Sequence, residues 1–387
     1  MRGGIGVLIL LIGYVMITFA SQSIWVTFSP VVTNVALELQ VSKELVGYLA
    51  VLYPLFFLIL TIPSGLLLDR NFRLWLTFGA FTTFLGGFNR LFMPHSYPWL
   101  LTCQLLSAIG QPFLLNGFVP FATRIYEERR ALIVSILSLS MYLGTISALA
   151  TGYILYTSGG ILMLILPTSI ISILGMLIFA FGIQSIKEIK HQATFKFQFK
   201  DVINKKDLWL IGCILGLGIA TFDNLATWLQ PALETIGLGY IAGDAVALAI
   251  ISGLIGVTFI PSVVAKANLR TLYIRGIAPL ITIFYLTLSA YHDVIMVLLL
   301  LTSSGFLMLP AYPIIMDWIG KFHKKEVQGS ATGFVGLVSR VISVILLFVA
   351  PSFIHGADVF FYFLTAIVAS AFIFALLMPN DRKVLRE

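Results

Sequence analysis

Asp223 is the one acidic residue of 17 that falls deep inside an apolar run; the others stand in polar breaks or at run ends. A carboxylate in hydrocarbon needs a partner, a proton or a cation. Arg340 is a candidate partner. Asp223 lies about 15 residues into its run and Arg340 about 12 into another that enters from the same side, so helix rise brings them within about 5 Å in depth. The chemistry open to such a pair is charge exchange, in which a solute or a proton displaces one partner and frees the other. A permanent pair that only neutralises two charges is the plainer alternative. Arg90, beside Asn89 near the outer end of a third run, reads as an arginine snorkelling to outer headgroups, with attraction of a solute as its other use.

Around these charges stand amides and aromatic rings. Gln22, Gln104, Gln111, Asn116, Asn224 and Gln230 sit in lipid-length runs, where hydrogen bonds between helices are the first expectation. Trp25, Phe28, Tyr53, Tyr142 and Trp228 could surround a cation with ring faces, Trp25 and Tyr142 foremost; interfacial belts and core packing are the alternatives. Enzyme chemistry finds no footing. The five histidines, His95, His191, His292, His323 and His355, lie in loops or near run ends, and no helical pair of them is spaced for a metal. Cys103 and Cys213 lie inside apolar runs, so neither a disulfide framework nor a cysteine cluster is expected. The expectation is no catalytic residues, no metal and no cofactor.

The elements that must position these residues are membrane helices. The 387 residues are 59% hydrophobic and 11% charged, against roughly 25% charged in soluble domains. Apolar runs at 6–28, 44–68, 74–93, 99–122, 131–156, 161–184, 208–230, 240–262, 271–290, 294–316, 328–353 and 358–378 are each long enough to cross a hydrocarbon core. The fold class expected is an all-α membrane protein of twelve transmembrane helices in two pseudo-symmetric six-helix halves. The first run begins after Arg2 and carries a weak cleavage lookalike at Phe19-Ala20-Ser21, but it continues through Trp25 and Phe28 and is kept as a helix.

Lysine and arginine fix an orientation. Of the 24, all but Lys43, Arg90 and Arg340 fall at the chain ends or in the even-numbered loops, which places both termini in the cytoplasm of a plasma-membrane protein. The net charge of +7 is therefore an orientation signal, and no nucleic-acid partner is expected. The basic stretch 185–207 reads as a cytoplasmic linker between an N-terminal half, 1–184, and a C-terminal half, 208–387. The halves repeat: Ile62-Pro63-Ser64 returns as Ile260-Pro261-Ser262, Asn71-Phe72-Arg73 as Asn268-Leu269-Arg270, Pro112 as Pro310 and Glu128 as Glu326. Two parallel six-helix halves describe a transporter that rocks between two openings. Gly212 with Gly216, and Gly329 with Gly333, have the spacing for close helix approach. Pro112 and Pro310 are candidate bending points.

Between runs two and three, Gly65-Leu66-Leu67-Leu68-Asp69-Arg70-Asn71-Phe72-Arg73 resembles the major facilitator superfamily signature Gly-x-Leu-x-Asp-Arg-x-Gly-Arg. Phe72 stands at its second Gly, and Ala267 stands at the Asp position in the second half. The resemblance implies gating roles for Asp69, Arg70 and Arg73, with Glu128 at the equivalent end of the next helix pair. It also implies that helices 1, 4 and 7 line a central cavity, which marks Gln22, Gln111 and Asn224 as solute contacts. Within the superfamily, Gln22-x-x-Trp25, Tyr53 with Pro63, and Gln104-Leu-Leu-Ser-Ala-Ile-Gly-Gln111 are similar to the heme and choline transporters first known as feline leukaemia virus receptors. That branch clasps a quaternary ammonium between rings on helices 1 and 7. Trp25 fits the first role, and Asp223 beside Phe222 holds the second position.

The expected activity is alternating-access transport of a small organic solute by a monomer in the lipid bilayer, with a proton as the possible coupling ion. A cationic or zwitterionic amine such as choline is favoured. The alternatives are an organic anion or heme anchored by Arg340, or a non-transporting receptor. The expected solute contacts are Trp25, Gln22, Tyr53, Gln111, Tyr142, Asp223, Asn224 and Arg340.

Overall fold

Apolar runs in lipid have nowhere to place backbone N–H and C=O groups except inside a helix. The computed structural model, which describes residues 2–185, 202–323 and 325–381, is helical nearly throughout, with no strand among the described residues. The chain divides into two units, Met1–Thr194 and Phe195–Glu387. Most of the expected linker, residues 186–201, lies outside the described residues.

The first unit holds α1 (Arg2–Trp25), α2 (Val32–Leu39), α3 (Lys43–Arg70), α4 (Phe72–Asn89), α5 (Tyr97–Asn116), α6 (Phe118–Ile125) and α7 (Arg130–Ile183). The second holds α8 (Lys206–Glu234), α9 (Ala242–Ala267), α10 (Arg270–Ala290), α11 (Val294–Met308), α12 (Ala311–Phe322), α13 (Lys325–Val349) and α14 (Ala357–Leu377). Among the described residues nine helical stretches are long and apolar enough to cross a membrane, and α5 with α6, bent by 43°, form a tenth. The remaining two expected runs are inside α7 and in α4. The range given as α7 is two helices that contain 131–156 and 161–184 and meet at Gly159 and Gly160, where the backbone leaves helical geometry. Gly160, at φ +67°, takes a left-handed turn that a side chain would resist. Contacts with α1 show the reversal: Gly144 meets Phe19 and Gly152 meets Pro30, whereas Gly175 meets Ile17 and Gly182 meets Leu10. The first segment of α7 thus runs parallel to α1 and the second antiparallel.

Three expected boundaries move. The first run ends as a helix at Trp25, and a turn at Ser29–Val31 leads into α2. The fourth run bends at Gly117, five residues after Pro112. The tenth changes helix at Leu309–Pro310, where the proline has no N–H to continue the ladder.

Each unit packs the same way. In the first, α1 lies along α7, α3 along α5, and α4 against α5 and α7; in the second, α8 lies along α13 and α14, α9 along α11, and α10 along α14. Lipid gives helices no hydrophobic reason to associate, so close approach carries the packing. A Cβ on Gly216 would lie 2.9 Å from Ser339 Cα, so this glycine lets α8 and α13 touch backbone to backbone. Large apolar residues such as Ile59, Ile154, Phe181, Phe259, Ile295 and Leu377 face outward, as a lipid-facing surface requires.

One helix start is held from far away. Asn71 caps α4 itself, accepting from Leu74 N at 2.9 Å. At the corresponding start of α10, Leu269 makes no side-chain cap. Instead Asp381, beyond α14, accepts from the backbone amides of Arg270 and Thr271, both at 3.0 Å, and from the Thr271 hydroxyl at 2.7 Å. Arg270 also donates to Asp381 at 3.2 Å and to Asp317 of α12 at 2.6 Å. Burial pushes the Asp381 carboxyl up, but the Thr271 and Arg270 donors outweigh it and hold the carboxyl below the usual carboxylate range. A depressed carboxyl contributes stability that is complete above its unfolded value near about 4 and is lost as pH falls below it. Asp381→Asn is therefore expected to lower stability by roughly 1–3 kcal/mol at pH 7, with the gap to the wild type narrowing below about pH 4. Thermal unfolding of the purified protein at several pH values checks this, and a gap that stays constant with pH would contradict it.

Candidate functional site

The depth argument made from sequence is realised inside the second unit. Asp223 on α8 and Arg340 on α13 form an ion pair, with Nη1 donating to Oδ2 at 3.2 Å. The same oxygen accepts from Ser343 Oγ at 2.5 Å. Ser343 lies three residues beyond Arg340, on the same helix face, so one turn of α13 presents both donors. Gly212 faces Val338 and Gly216 faces Ser339 and Ile342, which lets the two backbones come close enough for the pair to form. The partners differ in access: the Asp223 side chain is 3% exposed and that of Arg340 31%. Asn224, next to Asp223 and buried, returns its amide to Ala220 O at 2.7 Å, and its Oδ1 has no partner. Trp228, a turn further along α8, is buried and donates to Leu347 O. Gln230 bonds Glu234 at 3.1 Å.

In the first unit, Trp25 at the end of α1 and Tyr53 on α3 place their rings 6.5 Å apart, tilted by 31°. Trp25 donates to Ala50 O at 3.1 Å, which ties α1 to α3. Tyr53 is fully buried, and Tyr142 on α7 is half-buried. Phe28 packs into a separate core with Val31, Val35 and Leu164. Two of the amides do the work of joining helices: Gln104 donates to Ile24 O at 3.0 Å, and Asn116 to Ser64 Oγ at 2.8 Å and Thr61 O at 2.9 Å. Gln22 and Gln111 are different. Both are buried, and Gln22 Nε2 and Gln111 Oε1 have no hydrogen-bond partner.

Near the junction of α3 and α4, Asp69 faces Arg124 of α6 at 3.6 Å. Arg124 in turn lies over the Phe72 ring, 4.8 Å from its centre. The departure from the superfamily signature is thereby explained: the ring standing where the pattern has Gly gives Arg124 a cation–π seat beside the aspartate. Arg70 and Glu128 are exposed, Arg73 is half-buried, and none of the three forms an ion pair among the described residues. No group of three or more His, Cys, Asp or Glu side chains is placed to hold a metal among the described residues.

Arg90 departs from the snorkelling expected of it. It sits at the C-terminal cap of α4 with its side chain turned inward, 1% exposed. The turn after α4 is exposed at Phe92, but the Arg90 side chain points inward, where hydroxyls on α7 offer acceptors. Sequence reasoning also passed over Ser343, Arg124 and Asp381. Ser343 was detectable from its i+3 spacing to Arg340, whereas Asp381 lies 111 residues from the arginine it holds, a separation that no local pattern reveals.

A family model of the major facilitator superfamily matches residues 10–347. A protein of Archaeoglobus fulgidus described as uncharacterised is 27% identical over 153 residues, covering 39% of this chain and 70% of its own length. Among solved structures, a bacterial homologue of the human lysosomal transporter Spinster, captured inward-facing and unoccupied, superposes with a TM-score of 0.71 at 13% identity, over 99% of this chain and 98% of its own. The D-xylose–proton symporter gives the same score and identity over 98% and 99%. These two likenesses carry the fold. With the family match over most of its length, the chain belongs to the major facilitator superfamily and is an integral membrane transporter rather than an enzyme.

Proposed function

We propose that this transporter carries a small organic anion, with the Asp223–Arg340 pair as its switch and a proton as the coupling ion. The observation that supports this is the difference in access within the pair, 31% for Arg340 against 3% for Asp223. A solute arriving from water meets the guanidinium first. A solute carboxylate that takes over Arg340 accepts the same kind of charge-assisted N–H···O bond that Asp223 accepts from Nη1. Asp223 then stands buried without its counter-ion, and a proton must neutralise it. One anion and one proton would move together, and the pair would re-form once both have left.

A quaternary ammonium fits less well. The ring that the heme and choline branch places on helix 7 is replaced by Asp223, which is already bonded to Arg340 and Ser343. A cation would have to displace an arginine from a buried carboxylate. Trp25, Tyr53 and Tyr142, with the unmet polar atoms of Gln22 and Gln111, remain the proposed solute contacts of the first unit, and Asn224 is a proposed contact of the second. Asp69, braced by Arg124 and Phe72, with Arg70, Arg73 and Glu128, is the proposed gate. The bias of Lys and Arg supports cytoplasmic termini in a plasma membrane, and the chain is proposed to act as a monomer.

Two tests address the switch. Removing Arg340 leaves Asp223 buried and unpaired, so Arg340→Met is expected to destabilise the protein by roughly 3–5 kcal/mol, and Asp223→Asn by less, because Arg340 is 31% exposed and water can receive it. The double variant should lose clearly less than the sum; additive losses in chemical or thermal unfolding would show that the two side chains do not act as a pair. In proteoliposomes, uptake of a panel of labelled monocarboxylates is expected to respond to an inward proton gradient and to be abolished in Asp223→Asn and in Arg340→Gln. Normal uptake by either variant would overturn the switch. Uptake of quaternary amines and not of carboxylates would make Asp223 the anchor and return the reading to a cation.

A further inference from the structure

The interior of the first unit holds a positive charge that the switch does not use. Arg90 makes three side-chain hydrogen bonds: Nε to Ser169 Oγ at 3.3 Å, Nη1 to Thr27 Oγ1 at 3.3 Å, and Nη2 to Thr168 Oγ1. Each of these hydroxyls has already committed its own proton to a backbone carbonyl. Thr27 donates to Ser23 O at 2.7 Å, Thr168 to Ile165 O at 3.0 Å and Ser169 to Ile165 O at 2.8 Å. They therefore offer Arg90 lone pairs and no charge. No carboxylate pairs with Arg90 among the described residues. The C-terminal end of α4, where Arg90 sits, supplies only about half a negative charge. An unbalanced guanidinium in the interior of a membrane protein is the arrangement that proteins otherwise avoid.

The hydrogen-bond count points the same way. A guanidinium has five N–H donors, of which three are used here. Tyr53 and Cys103 stand close enough to Arg90 to interact with it, and neither a phenol nor a thiol carries charge at neutral pH. Tyr53 Oη is buried and has no hydrogen-bond partner. Ser107, the other polar group acting on that phenol, faces Thr83 O at 3.4 Å. Arg90 at the end of α4 and Tyr53 on α3 thus keep unmet donors within reach of each other's field, and every acceptor that Arg90 bonds is neutral. What satisfies two remaining guanidinium N–H groups and a phenol O–H together, and balances one positive charge, is a small monoanion.

We infer that Arg90 is the anchor of a buried monoanion site in the first unit, cradled by Arg90 and Tyr53 over the Thr27, Thr168 and Ser169 hydroxyls, that takes a halide or a small carboxylate. The single charge selects a monoanion over a dianion, and full enclosure selects a small one. The site lies wholly within one unit and stands independently of the Asp223–Arg340 switch in the other.

The test uses the purified full-length protein in detergent, held in gluconate buffer and titrated separately with chloride and with acetate while the melting temperature is followed. A ligand of the native state raises that temperature saturably. The expected result is a saturable rise for at least one of the two ions, absent in Arg90→Gln and retained in Arg340→Gln. The ion that produces it names the source, a halide or a carboxylate. Arg90→Lys keeps the charge without the fork, and Tyr53→Phe removes one donor and no charge; each is expected to weaken half-saturation by about tenfold, and either serves if Arg90→Gln does not fold. A wild type indifferent to both ions would overturn the proposal. So would a response unchanged in Arg90→Gln, or one unchanged in both Arg90→Lys and Tyr53→Phe, or one lost in Arg340→Gln and kept in Arg90→Gln.

Discussion

Inside a bilayer there is no water to receive a hydrogen bond or dilute a charge, and this constraint orders the molecule. Backbone groups close on themselves in helices. In the second unit the charges that lie inside meet each other at a helix seam. Asp223 and Arg340 are joined because α8 and α13 approach closely at Gly212 and Gly216. A side chain at Gly216 would press on Ser339 Cα and push apart the two backbones that carry the pair. The small residues are thus the mechanical condition for the electrostatics, and Ser343 completes it by donating to the oxygen that Arg340 also holds.

The internal repeat shows how one packing plan accepts different chemistry. Asn71 caps α4 from within the turn, whereas α10 borrows its cap from Asp381 over 111 residues away in sequence. At the end of α6, Arg124 is held by Asp69 and the Phe72 ring. At the end of α12, one repeat later, Lys321 donates to Asn268 Oδ1 at 2.7 Å. Ala267 has removed the acid that would have matched Asp69, and a neutral amide replaces an ion pair. Equivalent helices therefore do not imply equivalent latches. The first unit braces its helix ends with an arginine on a ring, and the second with a triad of Arg270, Asp317 and Asp381.

Most of the helices were legible because lipid enforces a long, simple signal: about twenty apolar residues, then a polar break. The Asp223–Arg340 pair was legible for a related reason, since few charges lie deep in apolar runs and helix rise converts sequence position into depth. What failed to read were events that depend on direction. The position of Arg90 near a run end is the same whether it snorkels outward or turns inward, and only the hydroxyls of Thr27, Thr168 and Ser169, brought from α7 and the turn after α1, decide the matter. Of the two prolines read as bending points, Pro310 stands at its break, whereas the bend near Pro112 falls five residues later, at Gly117. Side-chain partners far apart in sequence, such as Asp381 with Arg270, leave no local pattern at all.

The same constraint bears on why a buried ion pair persists where two apolar residues would pack as well or better. A permanent pair is poor value in stability, because the desolvation of two charges offsets their attraction. It becomes useful when one partner can be exchanged at small net cost. Replacing the Asp223 carboxylate on Arg340 by a solute carboxylate conserves the number and type of charge-assisted bonds on the guanidinium, so the exchange itself is nearly balanced. What is left over is Asp223, and its neutralisation by a proton closes the charge count. A ligand shifts a conformational equilibrium only by its differential affinity for the two states. With the contacts on Arg340 conserved, that difference falls on the state of Asp223 and on Ser343, which bonds its Oδ2 from the facing helix. A carboxylate holds two donors from α13 at one oxygen; a protonated acid no longer draws the guanidinium. In the proposed switch, the seam between α8 and α13 is therefore the element whose cohesion would change when the solute and the proton arrive together.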